Sequence, residues 1–184
     1  MTFQSNGLHK EPSLQDSNTP SRPYPARYRL QRTQIIPRPI NEVFAFFADA
    51  HNLEAITPGF LHFHITTPDP IVIQTGTLID YQLRLFGIRF SWCSRIESFD
   101  PVRSFTDVQL KGPYRRWIHR HEFSTVSEGT QMTDTVDYDL PLGPLGTLAH
   151  AAFVRRTLKG IFDYRRDCIE RLLGASVQSS TSDI

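Results

Sequence analysis

The segment Arg115-Arg116-Trp117-Ile118-His119-Arg120-His121-Glu122-Phe123 alternates strictly between two kinds of side chain. Trp117, His119, His121 and Phe123 fall on one side, and Arg116, Ile118, Arg120 and Glu122 on the other. A period of two belongs to a β-strand, whose successive side chains point to opposite faces. The second face is mostly charged and suits solvent. The first is aromatic but carries two imidazoles, which a core built for packing alone would not normally choose. The pattern predicts a strand whose inner face lines a half-polar cavity.

The same alternation extends on both sides. In residues 77–86, Ile79, Tyr81, Leu83 and Leu85 share a face; in residues 88–99, Phe90, Trp92, Ser94 and Ile96 do. A two-residue turn at Phe86-Gly87 sets Leu85 opposite Ile88, Leu83 opposite Phe90 and Tyr81 opposite Trp92, so the apolar faces match. Asp100-Pro101 turns the chain again. Counting onward sets Ile96 opposite Phe105, Ser94 opposite Asp107 and Trp92 opposite Gln109. After Lys111-Gly112-Pro113, Asp107 comes near His119 and Gln109 near Trp117. Glu128-Gly129 then leads into a last strand, where Met132, Asp134, Val136, Tyr138 and Leu140 share the inner face.

Residues 28–36 read as a first strand, ended by Pro37 and Pro39. Residues 40–47 and 51–56 read as two short helices, and residues 60–66 as a strand with His62 and His64 on one face. Pro141-Leu142-Gly143-Pro144 ends the sheet. A long helix is predicted over 145–173, with Gly174 as the glycine just past its end. Its apolar stripe includes Leu148, Val154, Leu158, Ile161, Phe162, Ile169 and Leu172, with Arg165 in the middle. An inward Arg165 would need a carboxylate, and Asp107 and Asp134 are the inner-face candidates; otherwise its head reaches water at the cavity rim. A second line, Phe153, Thr157, Gly160, Tyr164 and Cys168, lies roughly 120° away and offers a surface to a protein partner or a membrane, unless the first strand or short helices cover it.

The order of elements predicts an α+β domain over 27–174. Residues 1–26 are polar with several prolines, and residues 175–184 are rich in Ser and Thr, so both are expected to be disordered tails. A net charge of +1 in 184 residues gives no bulk attraction to nucleic acid. The only cysteines, Cys93 and Cys168, make no disulfide framework. No apolar run approaches the ~20 residues of a membrane span, and the first residues lack a secretion pattern, so a cytoplasmic location is expected. There is no glycine-rich phosphate loop, no G-x-S-x-G and no C-x-x-C, and no cofactor is expected.

The element order resembles the START-like helix-grip superfamily, SRPBCC, over roughly residues 27–174. Four stretches are similar to its polyketide cyclase/dehydrase and lipid-transport branch: Ile40-Asn41-Glu42-Val43-Phe44, Asn52-Leu53-Glu54-Ala55-Ile56-Thr57-Pro58, Gly112-Pro113-Tyr114-Arg115-Arg116-Trp117-Ile118-His119-Arg120-His121 and Leu140-Pro141-Leu142-Gly143-Pro144-Leu145-Gly146. The resemblance implies a curved seven-stranded antiparallel sheet wrapped around the last helix, with a deep cavity between them. It implies a hydrophobic or amphipathic ligand such as a lipid, a quinone or a polyketide, and members of the superfamily include both carriers and enzymes.

Combined with the parities, this gives a candidate ligand wall of Tyr81, Trp92, Gln109, Trp117, His119, His121, Tyr138, Leu158, Phe162 and Arg165. As an aromatase/cyclase or dehydratase the protein would use His119, His121, Asp107 and Asp134 as acid and base. As a carrier it would use them to orient a ligand's oxygens. A third reading makes the protein an interaction module with a vestigial cavity. The pairs His62/His64 and His119/His121 invite a metal, but the strands that carry them lie too far apart in the sheet to share one ion. Only His119 and His121 with a carboxylate could share an ion, and no metal is expected.

Overall fold

The computed structural model describes residues 26–85 and 87–174, apart from the side chain of Ala151. Phe86 of the predicted turn and both predicted tails, save Ala26, lie outside the described residues. Seven strands form one antiparallel sheet: β1 (Tyr28–Ile36), β2 (His64–Ile65), β3 (Leu78–Leu85), β4 (Ile88–Asp100), β5 (Ser104–Lys111), β6 (Arg116–Val126) and β7 (Gly129–Asp139). Their order across the sheet is β1-β7-β6-β5-β4-β3-β2. Two short helices, α1 (Ile40–Phe47) and α2 (Asn52–Ala55), follow β1, and α3 (Gly143–Ala149), a π-helical segment (His150–Val154) and α4 (Arg155–Leu173) follow β7. This is the helix-grip architecture.

The predicted parities hold. Trp117, His119, His121 and Phe123 are buried, while Arg120 and Glu122 are exposed and Arg116 pairs with Asp139 at 2.8 Å. Leu85 faces Ile88, Leu83 faces Phe90 and Tyr81 faces Trp92 across the β3–β4 turn, where Gly87 has φ +79°. Asp107 lies opposite His119, and His121 opposite Asp134.

The β4–β5 register is a correction. Phe105 pairs with Phe99 rather than Ile96, Asp107 with Ile96 rather than Ser94, and Gln109 with Ser94 rather than Trp92. The register shifts at Cys93/Ser94 and again at Ile96/Ser98. Each bulge sets two residues against one and sharpens the local bend. At the second, Glu97 is the extra residue, so Phe99 turns to the inner face alongside Phe105.

Three further expectations change. Residues 60–63 are not strand: Gly59–Leu61 is a 3-10 turn and His62 is left-handed at φ 42°, so β2 keeps two residues and both His62 and His64 are exposed. The last helix starts at Gly143, and its π segment at 150–154 slips the helical phase. Leu148 is therefore 68% exposed, and Leu172 also lies outside at 51%. In the second line, Phe153 and Tyr164 are exposed, but Cys168 is buried beside Ile36 and Ile169. Gly174 caps α4 in a right-handed conformation, φ −76°, rather than as a left-handed residue beyond it.

Gly129, at the β6–β7 turn, has φ +132°, and a Cβ there would sit 2.3 Å from the Ile36 carbonyl oxygen. Gly129→Ala is expected to cost roughly 1–3 kcal/mol from backbone strain alone, with the clash added. Thermal unfolding measures this; an unchanged midpoint would mean that β7 begins elsewhere.

Candidate functional site

Between the concave face of the sheet and α4 lies a cavity of about 200 Å3. Its apolar wall carries Phe63, Tyr81, Trp92, Tyr114, Trp117, Leu158 and Phe162, and α1 contributes Phe46 and Phe47. The two indoles meet edge to face at 5.3 Å, and Tyr114 lies 4.7 Å from Trp117. Its polar lining includes Ser94, Asp107, His119, His121 and Arg165.

Two carboxylates hold the two imidazoles from opposite sides. His119 Nε2 lies 3.1 Å from Asp134 Oδ1, and His119 Nδ1 lies 3.5 Å from Asp107 Oδ2. His121 Nδ1 lies 2.7 Å from the same Asp134 oxygen, and His121 Nε2 lies 3.7 Å from Asp107 Oδ2. The 2.7 Å contact is close but poorly directed, so His121 Nδ1 has no well-aligned hydrogen-bond partner. The two rings lie 4.0 Å apart, and His121 stacks on Phe105 at 4.2 Å. They come together because alternate residues of β6 share a face, while β5 and β7 each present one aspartate beside them.

A second chain of contacts reaches Asp107 from β3 and β4. The Tyr81 hydroxyl lies 2.8 Å from Ser94 Oγ, and Trp92 Nε1 donates to the same oxygen at 3.1 Å. Ser94 Oγ donates to Asp107 Oδ1 at 3.3 Å. With its single proton used there, Ser94 accepts from Tyr81.

Burial and neighbours split the two histidines. Burial and the charge on His121 push His119 below its ordinary pKa, whereas for His121 burial is outweighed by Asp134 and Asp107, and its pKa is raised. Burial opposes ionisation of both aspartates, yet the imidazoles, with Arg165 near Asp107, hold them below the usual carboxylate range. Burial also raises the Tyr81 phenol, keeping it a donor. The environment thus favours the neutral form of His119 and the charged form of His121.

Arg165 points inward and is buried, its guanidinium 5.0 Å from the Phe162 ring centroid. Neither predicted carboxylate pairs with it directly: among the described residues no carboxylate oxygen lies within 4.0 Å, and its Nε has no hydrogen-bond partner.

Of the predicted wall, Tyr81, Trp92, Trp117, His119, His121, Leu158, Phe162 and Arg165 line the cavity, with Asp107. Gln109 does not. Its amide exchanges bonds with the Tyr114 backbone, donating at 2.7 Å and accepting at 3.3 Å, and so braces the 112–114 loop. Tyr138 is buried beside the wall, with its hydroxyl 2.9 Å from His150 Nε2. Asp134 sits behind the imidazoles. Ser94, Tyr114, Phe46 and Phe47 were not in the predicted wall, although the parity of β4 already placed Ser94 on the inner face.

A family model described as polyketide cyclase/dehydrase and lipid transport matches residues 36–161. The chain belongs to this family. Among solved structures it is similar to TTHA0849 from Thermus thermophilus, at 16% identity over 81% of this chain and 100% of that one, with a TM-score of 0.64. It is also similar to CV1439 from Chromobacterium violaceum, at 10% identity over 80% and 99% of the two chains, with a TM-score of 0.63. The Zhui aromatase/cyclase from a Streptomyces species is 16% identical over 79% and 95%, with a TM-score of 0.56. At these identities the likeness establishes the helix-grip fold alone. No curated protein matches the chain. No described helix of this family member is long and apolar enough to cross a membrane.

Proposed function

We propose that the protein binds a hydrophobic or amphipathic small molecule in the cavity, its ring or chain against the aromatic wall and an oxygen-bearing group toward Arg165. The observation that carries this reading is an apolar cavity of about 200 Å3 into which a buried arginine points without a carboxylate partner. A dry apolar cavity of roughly 150 Å3 already takes up benzene. The volume suits a quinone-like or polyketide-like ring, or a single chain, better than a two-tailed lipid. Leaving a buried donor unpaired costs roughly 1–3 kcal/mol, which a ligand oxygen on the Arg165 fork would recover.

Native mass spectrometry of protein purified from its own host tests this, with a co-purifying ligand as the expected result. An interior that stays empty and excludes apolar additives would overturn the reading and favour an interaction module. Arg165→Met is expected not to destabilise the protein, because no ion pair is broken and a buried unpaired donor is removed, and to weaken binding of an acidic ligand at least about tenfold. A large loss of stability, relieved by Asp107→Asn, would show an internal ion pair instead.

A second reading rests on the split histidines. His119, biased toward its neutral form, beside His121, biased toward its charged form, offers a proton acceptor and a donor within one cavity, as cyclisation and dehydration require. Turnover of a poly-ketone substrate, lost in His119→Ala while binding persists, would make the protein an enzyme; the absence of turnover leaves the carrier.

A further inference from the structure

The geometry of the histidine cluster differs from that of a finished hydrogen-bond network. His119 Nδ1 and His121 Nε2 both face Asp107 Oδ2, at 3.5 and 3.7 Å. These separations are too long for good hydrogen bonds, although both imidazoles are buried, Asp107 is half-buried and the three groups point at one another. They fit another arrangement. Donor atoms bound tetrahedrally to one ion at about 2.1 Å lie about 3.4 Å from each other. One donor atom from each of Asp107, His119 and His121 lies within 4.8 Å of the other two.

The surroundings of the three donors support the same arrangement. Metal-binding imidazoles usually give their second nitrogen to a carboxylate, and metal-binding carboxylates are themselves hydrogen-bonded. Here the second nitrogen of His119, Nε2, hydrogen-bonds Asp134 Oδ1 at 3.1 Å, and that of His121, Nδ1, lies 2.7 Å from the same oxygen but out of line with it, a contact that a small turn of the ring would align. The second oxygen of Asp107 accepts from Ser94, itself held by Tyr81 and Trp92. Every donor is thus backed on the side away from the shared point.

We propose that Asp107, His119 and His121 form a site for a divalent transition metal, with Asp134 and Ser94 orienting the donors and the remaining coordination open to the cavity. Two imidazoles and one carboxylate suit zinc or ferrous iron, and three protein ligands leave room for an exchangeable one. The ion's charge and Arg165 together exceed the two aspartates by one positive charge when the imidazoles are neutral. An anionic oxygen on the ion would balance this. The two His-x-His pairs cannot share an ion, since β3, β4 and β5 lie between β2 and β6; the site needs only His119 and His121, with one carboxylate from the neighbouring strand.

The test uses the full chain and the metal alone, so it is independent of the cavity's organic ligand. After chelator treatment, the protein titrated with Zn2+ or Co2+ is expected to bind one ion per chain. Histidine-selective NMR of the unaltered protein should show the ring signals of His119 and His121 shifting with the metal, while those of His62 and His64 stay in place. Asp107→Asn and His121→Gln should each weaken binding at least about 100-fold, and Asp134→Asn about 10–100-fold. Substituting both exposed histidines, His62→Ala with His64→Ala, should change nothing. Failure to bind one ion, or shifts confined to other histidines, overturns the proposal without any variant having to fold. Retained affinity in a folded Asp107→Asn or His121→Gln protein does so as well.

Discussion

Replacing Asp134 by alanine is expected to destabilise the metal-free protein by roughly 3–5 kcal/mol, the range for removing one partner of a buried ion pair. For a chain of this size that corresponds to a fall of roughly 6–20 °C in the unfolding midpoint. The carboxylate is 5% exposed and lies within 3.1 Å of one imidazole and 2.7 Å of the other. Its loss leaves His121, which the two aspartates bias toward its charged form, facing only the more distant Asp107, and opens a void behind both rings. Asp134→Asn should cost less, because it fills the space and keeps an acceptor for His119. Asp137 is the control: it lies on the opposite face of β7, in an exposed pair with Arg29 at 2.6 Å, where solvent screens the charge. Asp137→Ala should leave the midpoint nearly unchanged. An equally small effect for Asp134→Ala would mean that the carboxylate does not support the histidines.

Phe162→Ala should be comparably damaging, at roughly 3–5 kcal/mol. The ring is 4% exposed, meets His119 edge-on at 5.6 Å and lies beside the Arg165 guanidinium. Its removal takes away core packing and enlarges a cavity that already exists, so the lost contacts are not regained by simple collapse. The enlarged cavity supplies a second readout. A neutral aromatic additive of one or two rings should raise the midpoint of the variant more than that of the parent, because binding to the folded state alone stabilises it. A loss below about 1 kcal/mol would place Phe162 at the rim rather than in the wall.

Much of this site is legible from alternation. Trp117, His119 and His121 share a face because β-strand side chains alternate, and no distant contact is needed to know it. The short turn at Gly87 puts Tyr81 and Trp92 on one common face, and the turn at Gly129 carries the parity of β6 to Asp134. Hairpin counting placed Asp107 opposite His119 correctly despite a wrong β4–β5 register, since that pairing depends on the next loop. The family motifs, taken with this order of strands and helices, led to the helix-grip fold.

Other features depend on contacts between elements far apart in sequence. The bulges in β4 and β5 arise from bending a sheet around a helix, and they decide that Phe99 rather than Ile96 meets Phe105. The π segment at 150–154 changes the phase of the last helix, so Leu148 leaves the stripe that the sequence assigns it. Rotamers decide that Gln109 is spent on a loop, that Asp134 lies behind the imidazoles and that Arg165 enters the cavity without a carboxylate. Parity says which face a side chain is on, because it is a property of the local backbone. What that side chain touches, and whether three donors converge on one point, is set by curvature and packing, which a single strand does not contain.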